Sequence, residues 1–243
     1  MVFCCGLGKS SKKSITSGKA VENKTAGSIK SKKSFKGLAE KKRPTIHVVY
    51  YSTYGHIAGL AKEIVKALQS TNLVDVKLFQ FPETLSSEIL QKMHAPPKDE
   101  SVPVYTVDAM READAYMFGS PTRFGTLPGQ VKTFIDSLGS LWVSGALVGK
   151  MYGVFFGTGS QGGGMETTAL SFVINATHLG MIYVPLGPNK AVATYAKTVG
   201  GSAYGPGVLA GLDGSKPANE EENESARKYA EYFSKVVVRY NQE

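Results

Sequence analysis

Beyond residue 44, two hydrophobic periodicities alternate along the chain. Thr45-Ile46-His47-Val48-Val49-Tyr50-Tyr51 is a short β-rich run that ends in the turn-like Ser52-Thr53-Tyr54-Gly55-His56. Ile57, Leu60, Ala61, Ile64, Val65 and Leu68 then recur at the spacing of one helix face. Residues 73–81 read as a second strand. Residues 114–119 read as a third, followed by a helix over 129–138. Residues 151–156 predict a fourth strand, and a glycine-rich loop at 157–164 leads from it into a helix over 167–179. A fifth strand is expected at 181–185. The closing helix, 220–240, carries its glutamates early and its Lys/Arg later, as the helix dipole favours. Repeated βα units of this length predict an α/β fold, a doubly wound parallel sheet.

Residues 1–43 break the pattern. They are rich in Lys, Ser, Gly and Thr, lack periodic apolar positions, and predict a disordered tail ahead of a single domain at 44–243. The net charge of +8 is unevenly shared. The tail holds twelve Lys/Arg against two acids, Glu22 and Glu40, for +10, which leaves sixteen basic and eighteen acidic groups, −2, for the domain. No nucleic-acid footprint is expected on the domain, whereas the tail has the charge to meet an anionic membrane surface. No apolar run approaches the ~20 residues of a spanning helix. The two cysteines, Cys4 and Cys5, are adjacent, so no disulfide framework and no Cys/His metal spacing exists. Ahead of a polybasic stretch they look like a tandem S-acylation site, and Val2 excludes myristoylation. Two lipid chains, or one with basic residues, hold a protein stably at a bilayer. The expected location is cytoplasmic, peripheral at the cytosolic face of the plasma membrane; an inert solvated tail and a transit peptide are the competing readings.

Three loops after strands carry the candidate chemistry, because ligands of open parallel sheets bind beyond the strands' carboxyl ends. Ser52 to Ile57 joins a strand to a helix start, where outward amides and the helix dipole favour an anion. It has no Lys and no GxxxxGK[ST] pattern, which argues against a Walker-type nucleotide site. A hydroxyl-and-amide cradle suits FMN; an ordinary capped turn is the plain alternative. In Gly119-Ser-Pro-Thr-Arg-Phe-Gly125, Pro and Gly fix a tight course that turns amides toward a flavin edge. Phe124 can line the ring, and Arg123 serves either the ring or a surface ion pair. Gly157-Thr-Gly-Ser-Gln-Gly-Gly-Gly164 lets backbone approach a ring or phosphate closely, and would equally pass for a flexible lid.

Taken in order, these loops resemble the WrbA-like NAD(P)H:quinone oxidoreductases of the flavodoxin-like superfamily. Leu141-Trp-Val-Ser-Gly-Ala-Leu147, Gly162-Gly-Gly-Met-Glu-Thr-Thr168 and Leu209-Ala-Gly-Leu-Asp-Gly-Ser215 extend the likeness across residues 46–238. The resemblance implies a five-stranded sheet of order 2-1-3-4-5, with residues 81–109 as the insertion that distinguishes the branch from short flavodoxins. It places the FMN phosphate on Ser52, Thr53, Tyr54, Gly55, His56 and Ile57. Ring and ribityl contacts fall to Thr122, Arg123 and Phe124, and the ring's polar edge to Gly157, Thr158, Gly159, Ser160, Gln161 and Gly162. His178 falls where the family has a flavin-contacting His and is the candidate catalytic residue; a structural His is the alternative. Tyr54 and Trp142 fall where the family contacts nicotinamide, with Trp142 otherwise a core anchor or oligomer contact. Leu179 replaces the second of two adjacent His, and Met165 stands where Gln is usual.

The implied reaction passes a hydride from NADH or NADPH through FMN to a quinone at one shared face, which predicts ping-pong kinetics. Two-electron reduction avoids semiquinone chemistry and so protects against oxidative stress. The family likeness also implies a homo-oligomer, a dimer or tetramer. The alternative is a membrane-associated flavodoxin-fold structural or regulatory protein with little or no turnover.

Overall fold

The computed structural model describes residues 42–188 and 198–241. The tail cysteines Cys4 and Cys5, and the acylation expected of them, lie outside the described residues. Among those described, no helix is long and apolar enough to cross a membrane.

Strand β1 (Thr45–Tyr50) is buried from its second residue onward, which is why it reads as a nearly unbroken apolar run rather than an alternating one. It pairs in parallel with β2 (Asp75–Gln80) on one side and β3 (Ala115–Pro121) on the other, in the registers Val48↔Leu78 and Val48↔Met117. Strand β4 (Met151–Thr158), buried throughout, pairs in parallel with β3. The order β2-β1-β3-β4 therefore matches expectation. Helices α1 (His56–Ser70) and α6 (Glu220–Tyr240) pack together on one face, where a Cβ on Gly119 would meet Ile57 and one on Gly153 would meet Tyr229. Helices α3 (Gly129–Asp136) and α5 (Met165–His178) cover the other face, where Val131, Phe134, Ala169 and Phe172 meet Val49, Phe118 and Val154.

The fifth position of the sheet is shared. Strand β5 (Ile182–Tyr183) pairs only with Met151 and Tyr152 at the start of β4. Strand β7 (Gly205–Leu209) takes up the same side at Phe156–Thr158 and is flanked by the antiparallel β6 (Gly201–Ser202). The expected continuous strand over 181–185 stops early because the Val184 carbonyl is taken by the buried Tyr229 hydroxyl at 2.5 Å. Strand β7 escapes a pattern search because Gly-Pro-Gly reads as a turn. A Cβ on Gly205 would lie 2.0 Å from the Val154 carbonyl oxygen, so only glycine permits that approach.

Between β2 and β3 the chain forms α2 (Ser87–Lys92), capped by the Ser86 hydroxyl, and returns along β2. Gln80 Nε2 holds the return by donating to the carbonyls of Asp99 and Val102 at 3.0 and 2.7 Å. At the other end of the chain, Asn219 and Glu222 form a capping box on α6. The Glu222 carboxylate also accepts from the amides of Gly200 and Leu209, fastening the β6–β7 hairpin to the helix.

His47 is fully buried in β1 among Phe79, Tyr105 and Tyr116. Its Nδ1 lies 3.1 Å from the Tyr105 hydroxyl, and its Nε2 has no hydrogen-bond partner among the described residues. Burial, reinforced by Lys77, lowers its pKa to about 4. The unfolded chain takes up this proton below about pH 6.5 while the folded chain refuses it. Stability carried by His47 is thus complete above that pH and falls as pH drops from 6.5 to 4, by at most about 3 kcal/mol. Urea unfolding across this window should show a steeper loss in the parent protein than in His47→Phe.

Candidate functional site

Four loops at the carboxyl ends of β1, β3, β4 and β7 enclose a cavity of about 420 Å³. Its size is that of a small-molecule site. The first wall is Ser52, Thr53, Tyr54, His56 and Ile57. The Ser52 hydroxyl accepts from the Gly55 amide at 3.0 Å, closing a tight turn that Gly55 completes at φ 93°. Gly55 has no side chain with which to cap α1, so the helix presents its N-terminal amides uncapped. The amides of Thr53 and Tyr54 likewise donate to no acceptor among the described residues. Together these donors form an anion site of backbone and hydroxyl groups.

The second wall is Pro121, Thr122 and Arg123. Arg123 and Thr126 exchange both backbone hydrogen bonds, at 2.8 and 3.1 Å, around a tight turn. This turn holds Phe124 at φ 51°, an uncommon backbone for a bulky residue, with its ring fully exposed. The Arg123 guanidinium donates to the Thr53 hydroxyl at 2.9 Å and to the Thr122 carbonyl at 3.0 Å. It spans the first and second walls and, among the described residues, is the one Lys/Arg that lines the cavity.

The third wall is Gly157, Thr158 and Gly159. A Cβ on Gly157 would lie 2.8 Å from Ile57 Cδ1, and one on Gly159 would lie 3.2 Å from the Gly211 carbonyl oxygen. The bare backbone is therefore what keeps the wall flat. Loops two and three meet where a Cβ on Gly164 would stand 2.6 Å from Gly125 Cα. Thr122 Oγ1 locks that contact by accepting from the Gly125 amide at 3.1 Å and from the Thr168 hydroxyl at 2.9 Å.

Residues 210–214, to which the sequence reading gave no role, form the fourth wall. The Ala210 amide donates to the Thr158 carbonyl at 2.8 Å, continuing the β4–β7 pairing into the site. Asp213 accepts from the Ser215 amide and hydroxyl, and these bonds hold its carboxyl below the usual range. The signal available in the sequence was a glycine-rich run, but the strand that delivers it was not legible.

The expected site residues thus divide. Ser52, Thr53, Tyr54, His56, Ile57, Thr122, Arg123, Gly157, Thr158 and Gly159 all line the cavity. Gly55, Phe124, Ser160, Gln161 and Gly162 belong to the same loops but do not line it, and all five are exposed. His178 and Trp142 are elsewhere. His178 ends α5 and is exposed. Just beyond it, the Gly180 carbonyl accepts from Gly149 and the Ile182 amide donates to Lys150, which sets this turn beside the start of β4. The cavity lies at the opposite end of that strand, about 20 Å away at the rise of an extended chain. Trp142, in α4 (Gly139–Val143), is 63% exposed and does not line the cavity. Within one copy of the chain, neither residue reaches the site.

Amides without acceptors among the described residues, hydroxyls and the Arg123 guanidinium, beside a wall where Gly157 and Gly159 carry no Cβ, fit a planar molecule that ends in a phosphate. Residues 46–202 match the family described as NADPH-dependent FMN reductase. The chain belongs to this family. Among curated proteins it is 49% identical over 199 residues to the quinone-oxidoreductase QR2 of Triphysaria versicolor, covering 81% of this chain and 97% of that protein. It is 45% identical to the NAD(P)H quinone oxidoreductase YCP4 of Candida albicans, covering 80% and 68%. Among solved structures, a flavodoxin, WrbA-like protein from Agrobacterium tumefaciens superposes with a TM-score of 0.56 at 23% identity, covering 81% and 99%. That likeness shows the flavodoxin-like fold. For this FMN reductase family member, FMN is the cofactor that the cavity's chemistry fits.

Because Thr122 ties the second loop to the start of α5, Thr122→Val should cost about 1 kcal/mol of stability by chemical denaturation, from the lost bonds to the Gly125 amide and the Thr168 hydroxyl, which keeps the Gly164 carbonyl as its acceptor at 2.7 Å.

Proposed function

We propose that this protein is an FMN-dependent oxidoreductase that reduces quinones by two electrons with NAD(P)H. The observation that carries the reading is the cavity itself: amides at Thr53 and Tyr54 without an acceptor among the described residues, a helix start without a side-chain cap, and the bare backbone of Gly157 and Gly159, at the carboxyl edge of a parallel sheet. The names of relatives at 45–49% identity supply the substrate class.

When bound, FMN supplies acceptance and donation of a hydride. The chain's own residues do the rest. The first loop binds the phosphate through amides and hydroxyls. Arg123 and Thr122 would hold the polar part of the cofactor, and Gly157 and Gly159, without a Cβ, would leave room for its planar part. Tyr54, 48% exposed and fixed by its hydroxyl's bond to the Met93 carbonyl at 3.2 Å, gives flat substrates an aromatic wall at the mouth. Orientation of two flat reactants in turn is the main catalytic service of such a site.

The homo-oligomer reading has support in the exposed apolar side chains Trp142, Val143, Val148 and Ile174. The roles assigned to His178 and Trp142 rest on it, since a single copy keeps both away from its own cavity. Anchoring at the cytosolic face of the plasma membrane rests on Cys4, Cys5 and the +10 charge of residues 1–43. There the enzyme would meet membrane quinones and limit oxidative stress.

Protein loaded with FMN should show a flavin absorbance spectrum that bleaches with NADH or NADPH under anaerobic conditions and returns on adding benzoquinone. A flavin-loaded protein that no nicotinamide bleaches would favour the structural or regulatory alternative. Cys4→Ser/Cys5→Ser should move the protein from the membrane to the soluble fraction of cells; unchanged recovery with membranes rejects the anchor.

A further inference from the structure

The insertion between β2 and β3 sends one cation to the back of the first loop. Lys98 Nζ donates to the Ser52 carbonyl at 2.8 Å, across 46 residues of sequence. The ammonium is fixed by the Glu83 carboxylate at 3.0 Å and lies 4.4 Å from the centre of the Tyr51 ring. Glu83 is itself held by the amides of Thr84 and Leu85, the Tyr51 hydroxyl and Gln130 Nε2. The Lys98 and Glu83 side chains are only 28% and 17% exposed, so this is no ordinary surface ion pair. Lys98 does not line the cavity; Ser52 and Thr53 do.

The peptide between Ser52 and Thr53 is trans, like every described peptide bond in the chain. Its carbonyl and its N–H therefore point in opposite directions. An ammonium on the Ser52 carbonyl draws electron density through the peptide and strengthens the Thr53 N–H as a donor on the far side. That N–H has no acceptor among the described residues. Glu83 neutralises most of Lys98's long-range field, which leaves the effect local to this one peptide.

We propose that Lys98 is a positioning residue for the cofactor's phosphate: it orients and polarises the Ser52–Thr53 peptide from behind, so that a wall without lysine still grips an anion. The inference rests on the FMN reading and deepens it. It assigns to the insertion a binding role beyond covering β2, and predicts discrimination between flavins that carry a phosphate and those that do not.

The test is a titration of FMN and of riboflavin, which lacks the phosphate, into the full chain, followed by flavin fluorescence. Lys98→Met should weaken FMN severalfold, the scale of losing the polarisation of one hydrogen bond, and leave riboflavin unchanged. Lys98→Arg should restore FMN binding. Lys98→Gln, which keeps a donor without the charge, should fall between and serves if the methionine variant does not fold. Equal weakening of FMN and riboflavin would make Lys98 a merely structural prop, and no change in either would remove it from the site; both results overturn the proposal and leave the FMN reading standing. Parent protein that binds neither flavin overturns both.

Discussion

Parallel pairing of β1 with β2 on one side and β3 on the other is the constraint on which the site depends. The chain leaves β1 in one direction through α1 and comes back on the other side through β3. Both connections depart from the same edge of the sheet, and the loops after β1 and β3 are left facing each other across a crevice. β4, in register with β3 through Pro121↔Gly157, brings the glycine loop to the same edge. The Thr122 amide then donates to the Gly157 carbonyl at 2.9 Å, continuing the ladder one step past the strand. The cavity is a consequence of this register. A one-residue slip of β3 or β4 would turn its side chains to the opposite face and separate the loops.

Close approach of bare backbone is the second physical theme. Gly119, Gly157 and Gly164 each stand where a Cβ would collide with a neighbour inside 3 Å, and all three lie within or beside the loops of the site. Gly205 does the same for β7, which in turn delivers the fourth wall. Loops built this way expose amides rather than side chains, and amides serve an anion without the strong positive potential that lysines would add next to a redox ring. The positive charge is instead set one peptide behind the wall, on Lys98, or tied across it, on Arg123.

Elsewhere the structure places its polar burden away from the chemistry. Glu222 joins the start of α6 to Gly200 and Leu209 and so fastens the β6–β7 hairpin from outside the cavity. His47 sits near the opposite edge of the sheet, level with Tyr116 and Lys77 in the neighbouring strands. Its acid sensitivity is therefore a property of the fold rather than of the site.

The sequence by itself determined the elements whose periodicity is strong. α1, α3, α5 and α6 fall within two residues of the expected bounds, and β1, β3 and β4 where unbroken apolar runs put them, because burial on both faces of a parallel sheet leaves a plain signature. It also drew attention to three of the four cavity walls, as Ser/Thr/Gly loops directly after strands, while the residues alone read equally well as a capped turn or a lid. Tertiary structure alone decided the rest. The fifth strand divides because the Tyr229 hydroxyl takes the Val184 carbonyl, and β7 forms from Gly-Pro-Gly because it lies against the Val154 backbone; neither contact has a local signal. The resemblance puts His178 and Trp142 at the site, whereas within one copy helix direction carries His178 to the far end of β4 and leaves Trp142 exposed on α4. Lys98 carries no local signal, and only the return of the insertion along β2 brings it to the back of Ser52. Local pattern reports what a segment buries, whereas the partner across 46 residues is set by how the whole sheet closes.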